Sequence, residues 1–296
     1  MEKATYLEGT TMGEAKRRGA GASDHARINA QLQQLGIDTT QFGFFDQSAF
    51  LEAERRDGAF LEQYASWVQT RPRTADYDAR VRRIVPRLAE FLADLFEREE
   101  MQRSCVHVSS MMQRILDRLG VWSFGVKGSM IAVVARENLW RGQAMCDVPD
   151  FHGAELGHAW VVAPPFVIVD GTIRLQNAVG DPMNAFIPPT VAVEDAPLIK
   201  PTLDDVVSAK LQALYQKREG QLDSRLHHRL EPKLNAFGRT FPSREVRFGA
   251  LALRYVPVAV RISDVGLEEI NAAGEKLRGD DVWNNHVAPA FSADVI

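Results

Sequence analysis

Residues 156–172 read LGHAWVVAPPFVIVDGT: two apolar, β-branched runs separated by Ala-Pro-Pro. Proline offers no N–H to a sheet ladder, so the pair Pro164-Pro165 punctuates the run, and the flanking segments read as two strands of one hairpin. Ala159, Val161, Val167 and Val169 fall on one face and Trp160, Val162, Phe166 and Ile168 on the other. Both faces are apolar, so the hairpin must be covered on both sides.

Into that dry hairpin the chain places His158 and Asp170. If residues 163–165 form the loop, Val162 pairs with Phe166, and counting back sets His158 directly opposite Asp170. Opposed residues have Cβ atoms roughly 4.5–5.5 Å apart, within reach of an imidazole–carboxylate hydrogen bond. A one-residue slip would throw the two onto opposite faces. A buried carboxylate needs a partner, and a histidine beside it gains orientation and basicity.

A third group completes the set. In SCVHVSSMMQRILDRLG, Cys105, Val108, Met112, Ile115, Leu116 and Leu119 lie on one helical stripe, with Ser104 as N-cap and Gly120 as C-terminal stop. Cys105 then stands in the first turn and faces the core. Unpaired N–H groups and the dipole at a helix N-terminus favour a thiolate, and an imidazolium beside it adds to the effect.

A cysteine opening a helix, a strand opening HAWV and a strand ending VDGT resemble the transglutaminase-like superfamily of papain-like cysteine enzymes. The resemblance covers about residues 100–175. It implies an α+β fold with a helix-borne cysteine packed on an antiparallel sheet. It also implies roles: Cys105 as nucleophile, His158 as general base and acid, Asp170 as the orienting group. Two departures stand out: Gly171 replaces the usual proline after the aspartate, and the residue after Cys105 is not aromatic. Gln102, beside the Cys105 backbone N–H, is the candidate oxyanion side chain; Trp160, His152 and Trp140 are candidate substrate contacts.

The implied chemistry is acyl transfer without a cofactor. Hydrolysis of a peptide or amide bond in a peptide or protein substrate is favoured, since it needs no site for a second substrate. Transglutamination or deamidation of a protein, as by a secreted effector, and a non-catalytic binding role on the same scaffold are the alternatives.

Elsewhere the chain reads as a flexible polar segment (1–40), a helical region (41–100), the catalytic core (101–200) and a C-terminal α/β extension (201–296). Residues 47–69 and 75–99 have helical spacing, with Gly58 as a break in the first and Pro86 as a kink or fresh start in the second. VWSFGVKGSMIAVVA predicts one or two strands, and residues 136–155 a long loop bordering the active-site cleft. Residues 203–230 predict one charged helix with His227 and His228 on its solvated surface, EVRFGALALRYVPVAVRI a strand, residues 263–277 a capped helix, and DDVWNNHVAPAF a last short helix. The C-terminal hundred residues are expected either to extend the core or to form a small second domain.

Composition narrows the rest. A net charge of -4 with pI near 6.0 offers no global footprint for nucleic acid or an anionic membrane, and no apolar run has the length of a secretory signal or a membrane span. Two cysteines make no disulfide framework; one Cys105–Cys146 bridge stays open, and a reducing, cytoplasmic setting is the simpler expectation. Cys146, Asp147, Asp150, His152 and Glu155 cluster without zinc spacing, so no metal is expected. Gly125 and Gly128 make no phosphate fingerprint. Oligomeric state leaves no mark in the sequence.

Overall fold

The computed structural model describes residues 9–148, 156–272 and 277–295. By contacts the chain divides into two compact units, Met1–Ala79 and Arg80–Ile296, rather than at the composition boundaries near 40, 100 and 200.

The first unit is helical. The polar segment expected to be a flexible lead-in is instead helix α1, Gly9–Gln34, which buries Ile28 and Leu32. Helices α2 (Ser48–Arg56) and α3 (Phe60–Thr70) follow, with Gly58 in the break between them. Their aromatic residues form an edge-to-face cluster: Phe44 meets Tyr64 at 5.2 Å and Trp67 at 5.1 Å. Helix α4, Ala75–Arg98, begins in the first unit, belongs from Arg80 on to the second, and runs unbroken through Pro86.

The second unit is α+β. Helix α5 (Cys105–Arg118) lies against a curled antiparallel sheet. Its strands are β1 (Phe124–Val134), β2 (Leu139–Gln143), β3 (His158–Ala163), β4 (Phe166–Asp170), β5 (Val191–Val193), β6 (Arg244–Phe248) and β7 (Leu251–Arg261), in the order β5-β4-β3-β1-β7-β6 with β2 beside β1. Part of the expected 136–155 loop is therefore strand β2. The expected single strand near the C-terminus is the hairpin β6–β7, turned at Gly249 with φ +58°. Because β7 pairs with β1 in the middle of the sheet, the C-terminal region builds the core and is no separate domain.

The charged helix expected over 203–230 is broken into α6 (Leu203–Val206), α7 (Ala209–Glu219) and α8 (Leu226–Leu230), followed by α9 (Leu234–Thr240). Gly220 in the left-handed region ends α7. His227 is buried, against the expectation of a solvated face, with its ring 4.0 Å from that of His228. Among the described residues the helix expected over 263–277 does not form: Leu267–Glu269 makes one 3-10 turn, and Asn271–Ala272 pairs with Leu277–Arg278. No described helix is long and apolar enough to cross a membrane.

One glycine explains how three strands meet at the histidine. Gly128 of β1 pairs with His158 of β3 and, across a bulge, with Pro257 of β7. A Cβ there would fall 2.1 Å from the Val256 carbonyl oxygen and 2.9 Å from Cη2 of Trp160. Only the missing side chain lets the strands close around the ring beside His158.

Candidate active site

The β3–β4 hairpin has a register other than the expected one. Ala163 pairs with Phe166, so only Pro164 and Pro165 turn the chain, and a bulge then leads to the pair Val161↔Val169. Continuing that register sets Asp170 opposite Trp160 and diagonal to His158. The net displacement is two residues, which preserves the face, and a diagonal neighbour stays within reach of a long side chain. His158 Nε2 lies 2.7 Å from Asp170 Oδ2, with both side chains wholly buried.

Asp170 is held by more than the histidine. Tyr255 of β7 donates its hydroxyl to Oδ2 at 3.0 Å, and Thr172 donates its N–H and Oγ1–H to Oδ1 at 2.9 and 3.0 Å. Burial by itself would raise the Asp170 pKa; the His158 charge and these hydrogen bonds outweigh it and hold the carboxyl below its ordinary 3.8. Tyr255 is the reverse case, pushed well above 10.0 by burial and then by the Asp170 charge. It is a permanent donor.

Nε2 being committed to Asp170, Nδ1 is the ring nitrogen left for Cys105. Cys105 opens α5 and interacts with His158 and with the backbone N–H of Ala159. Burial would raise the thiol pKa, but the hydrogen bond and charge of His158 prevail and lower it from 9.0. Burial would likewise depress His158; Asp170 and Cys105 outweigh it and push the imidazole up to about 10. Opposite shifts on a touching pair describe a thiolate–imidazolium pair.

Ser104 occupies the N-cap position of α5 but caps nothing: its hydroxyl turns back to the Met101 carbonyl at 2.8 Å. The first-turn N–H groups beside Cys105 are left to face a negative charge. In front of the thiol lies a cleft of about 870 Å³, walled by residues that include Cys105, Gln143, Gly157, Gln176 and Arg261. Gly157, directly before His158, has φ +83°, and a Cβ there would lie 2.6 Å from the Gly128 carbonyl oxygen and 2.6 Å from Met145 Sδ. The Gly-His step is therefore a steric requirement of the site.

Comparison with protein-family models, curated proteins and solved structures finds no match to this chain.

Of the residues singled out in the sequence, Cys105, His158 and Asp170 come together; Gln102 and Trp140 do not join them, and Trp160 does so only as a buried neighbour of His158. Gln102 is exposed, and its amide nitrogen reaches the Leu175 and Asn177 carbonyls at 3.0 and 3.2 Å instead of the cleft. Trp160 is buried, its ring stacked near His158 at 6.2 Å and edge-on to Tyr255 at 5.2 Å, so it packs beside the imidazole and is not part of the cleft wall. Trp140 is exposed on β2 and lies outside the cleft wall. His152, with Asp150 and Glu155, lies outside the described residues. Cys105 and Cys146 are both free thiols, which closes the question of a bridge.

Tyr255, Thr172 and Gln176 were missed. Tyr255 carries the same signal as His158, one polar tip in an apolar strand, and Thr172 stands two residues after an aspartate, where an Asx turn is common. Tyr255→Phe is expected to cost about 1.5–3 kcal/mol, since it removes a buried donor from a charged acceptor. Urea unfolding measures this; an unchanged midpoint would show that the hydroxyl carries no weight.

Proposed function

We propose that the chain is a cysteine-dependent acyl-transfer enzyme that hydrolyses a peptide or amide bond. The observation that carries the reading is the division of labour on one imidazole: Nε2 bound to Asp170 at 2.7 Å, Nδ1 left for a helix-terminal thiol that borders a cleft.

The Cys105 thiolate attacks the carbonyl carbon, forming the C–S bond and a tetrahedral oxyanion that the uncapped first-turn N–H groups of α5 stabilise. The His158 imidazolium gives its Nδ1 proton to the departing amine as the C–N bond breaks. Water then attacks the thioester, Nδ1 takes its proton, and the C–S bond breaks to release the acid and restore the thiolate. Two free thiols suit a reducing compartment, and a cytoplasmic setting belongs to this proposal.

Alkylation by iodoacetamide tests the reading. Cys105 should react at pH 7 faster than an unperturbed thiol, because its lowered pKa leaves more of it ionised. His158→Ala removes the two largest influences that lower the thiol pKa and leaves the Ala159 N–H alone against burial, so the pH dependence should move up and the rate at pH 7 fall. Asp170 keeps Tyr255 and Thr172 in that variant, so folding is expected to survive. Alkylation as slow as that of an ordinary thiol, and indifferent to His158, would falsify the proposal.

A further inference from the structure

Gln176 borders the cleft in front of Cys105 and is 5% exposed, yet the triad makes no use of it. Two anchors fix where it stands and how its amide is turned. The first is the backbone on either side. Leu175 O accepts from the Arg103 N–H at 2.9 Å and from the Gln102 amide nitrogen at 3.0 Å, and Asn177 O accepts from that same nitrogen at 3.2 Å. Gln176 is thus strapped to the turn that leads into Cys105.

The second anchor is its own side chain. Nε2 donates to the Thr172 carbonyl at 3.0 Å, an oxygen that also accepts the Leu175 N–H at 2.9 Å. Thr172 in turn holds Asp170. An amide carries its donor and its acceptor on one planar group. Turning it over would set Oε1 against the Thr172 oxygen, acceptor to acceptor, so the orientation is fixed. Oε1 is the end left over: it accepts no hydrogen bond among the described residues, and it is not sealed in the core. What stays exposed of this side chain faces the cleft.

The site therefore offers both halves of a complement. The first-turn N–H groups of α5 are donors for a carbonyl oxygen, and Gln176 Oε1 is a held acceptor. An amide has a partner for each, its oxygen and its N–H; an ester has only the first. Asp264 and Glu269 also border the cleft, but they are exposed, and water competes for their oxygens.

We propose that Gln176 Oε1 accepts a hydrogen bond from an N–H next to the carbonyl that Cys105 attacks, so that the cleft selects peptides and other N–H-bearing amides over esters of the same shape. An analogue without the N–H leaves the acceptor unpaired, which is how a polar site rejects a near-isostere. This inference rests on Cys105 being the nucleophile.

The test uses two alkylating reagents of matched shape, N-methyl iodoacetamide and methyl iodoacetate, which differ by one N–H against one oxygen. Each second-order rate constant for Cys105 is divided by that for N-acetylcysteine, which removes the intrinsic difference between the reagents. The wild type should then favour the amide about tenfold, the worth of one hydrogen bond to a largely buried acceptor. Gln176→Leu should bring the ratio to about one by slowing the amide alone. Gln176→Met, unbranched and of similar length, is the second variant and should behave alike.

A ratio of one in the wild type, with rapid His158-dependent labelling by the ester, overturns the role of Gln176 and leaves the triad reading intact. Equal slowing of both reagents in the two variants also overturns it, since Gln176 would then support the thiol and read nothing on the reagent. Slow labelling by both reagents that ignores His158→Ala defeats the triad reading, and this inference with it.

Discussion

Cys105→Ala is expected to abolish the burst of p-nitrophenolate that the wild-type chain releases from p-nitrophenyl acetate, and to lower its steady turnover about 10³-fold or more. The burst counts acyl-enzyme, one equivalent per chain, and needs an ionised thiol at neutral pH. Cys105 is the thiol shifted toward that state, because His158 outweighs the burial that would protonate it. Cys146 does not: burial, helped by the charge of Glu231, pushes it up to about 11. At pH 7 it is a closed thiol, so Cys146→Ser should leave the burst whole. A stoichiometric burst that survives in Cys105→Ala would place the nucleophile elsewhere. Mass spectrometry of the acetylated wild type, with the added mass on the peptide holding Cys105, checks the same point.

The second large effect is on stability. Asp170→Ala should cost about 3–5 kcal/mol, the usual consequence of removing one partner from a buried ion pair. The cost should depend on pH in a definite direction. In the wild type, Asp170 has its pKa below 3.8, so its contribution is present above that value and fades as pH falls through the lowered one. His158 has its pKa raised from 6.5 to about 10, so its contribution is complete below 6.5 and is lost as pH rises through about 10. Both are complete between about pH 4 and 6.5. Without the carboxylate, Cys105 alone opposes the burial that depresses His158, so the imidazole loses most of its gain over the unfolded value and the variant lacks the stabilisation that the wild type has on the acid side. Urea midpoints should show the widest gap between wild type and variant near pH 5–6 and a narrower one near pH 10. A gap of equal width at both would mean that His158 and Asp170 are not coupled.

The three reacting groups were legible because each breaks a local pattern: two ionisable side chains in apolar strands, and one thiol at the start of an amphipathic helix. Such signals are short-range. Tyr255 joins Asp170 from a strand 85 positions away, and no local pattern reports a pairing at that separation. The hairpin register was misread because strand alternation states which residues share a face but not where a bulge falls. The helix expected over 263–277 was argued from capping and propensity, a weak prior that the tertiary setting overrides. Gln102 was chosen for nearness to Cys105 along the chain, whereas the residue that borders the cleft, Gln176, arrives from the turn after β4. Gly157 and Gly128 could be seen as glycines, but their necessity depends on atoms of β2, β3 and β7 that only the folded sheet brings near.

The two-proline turn and the bulge behind it have a consequence for register. A strand offers its side chains alternately to two sides, so a hairpin that carries a reacting pair tolerates changes of length only as even steps. Here the tight turn alone is odd relative to a three-residue loop, and the bulge between Val161 and Ala163 supplies the compensating step. A one-residue shift of register at this hairpin is therefore tolerated only when a bulge is added or erased in the same strand; otherwise His158 and Asp170 fall on opposite faces.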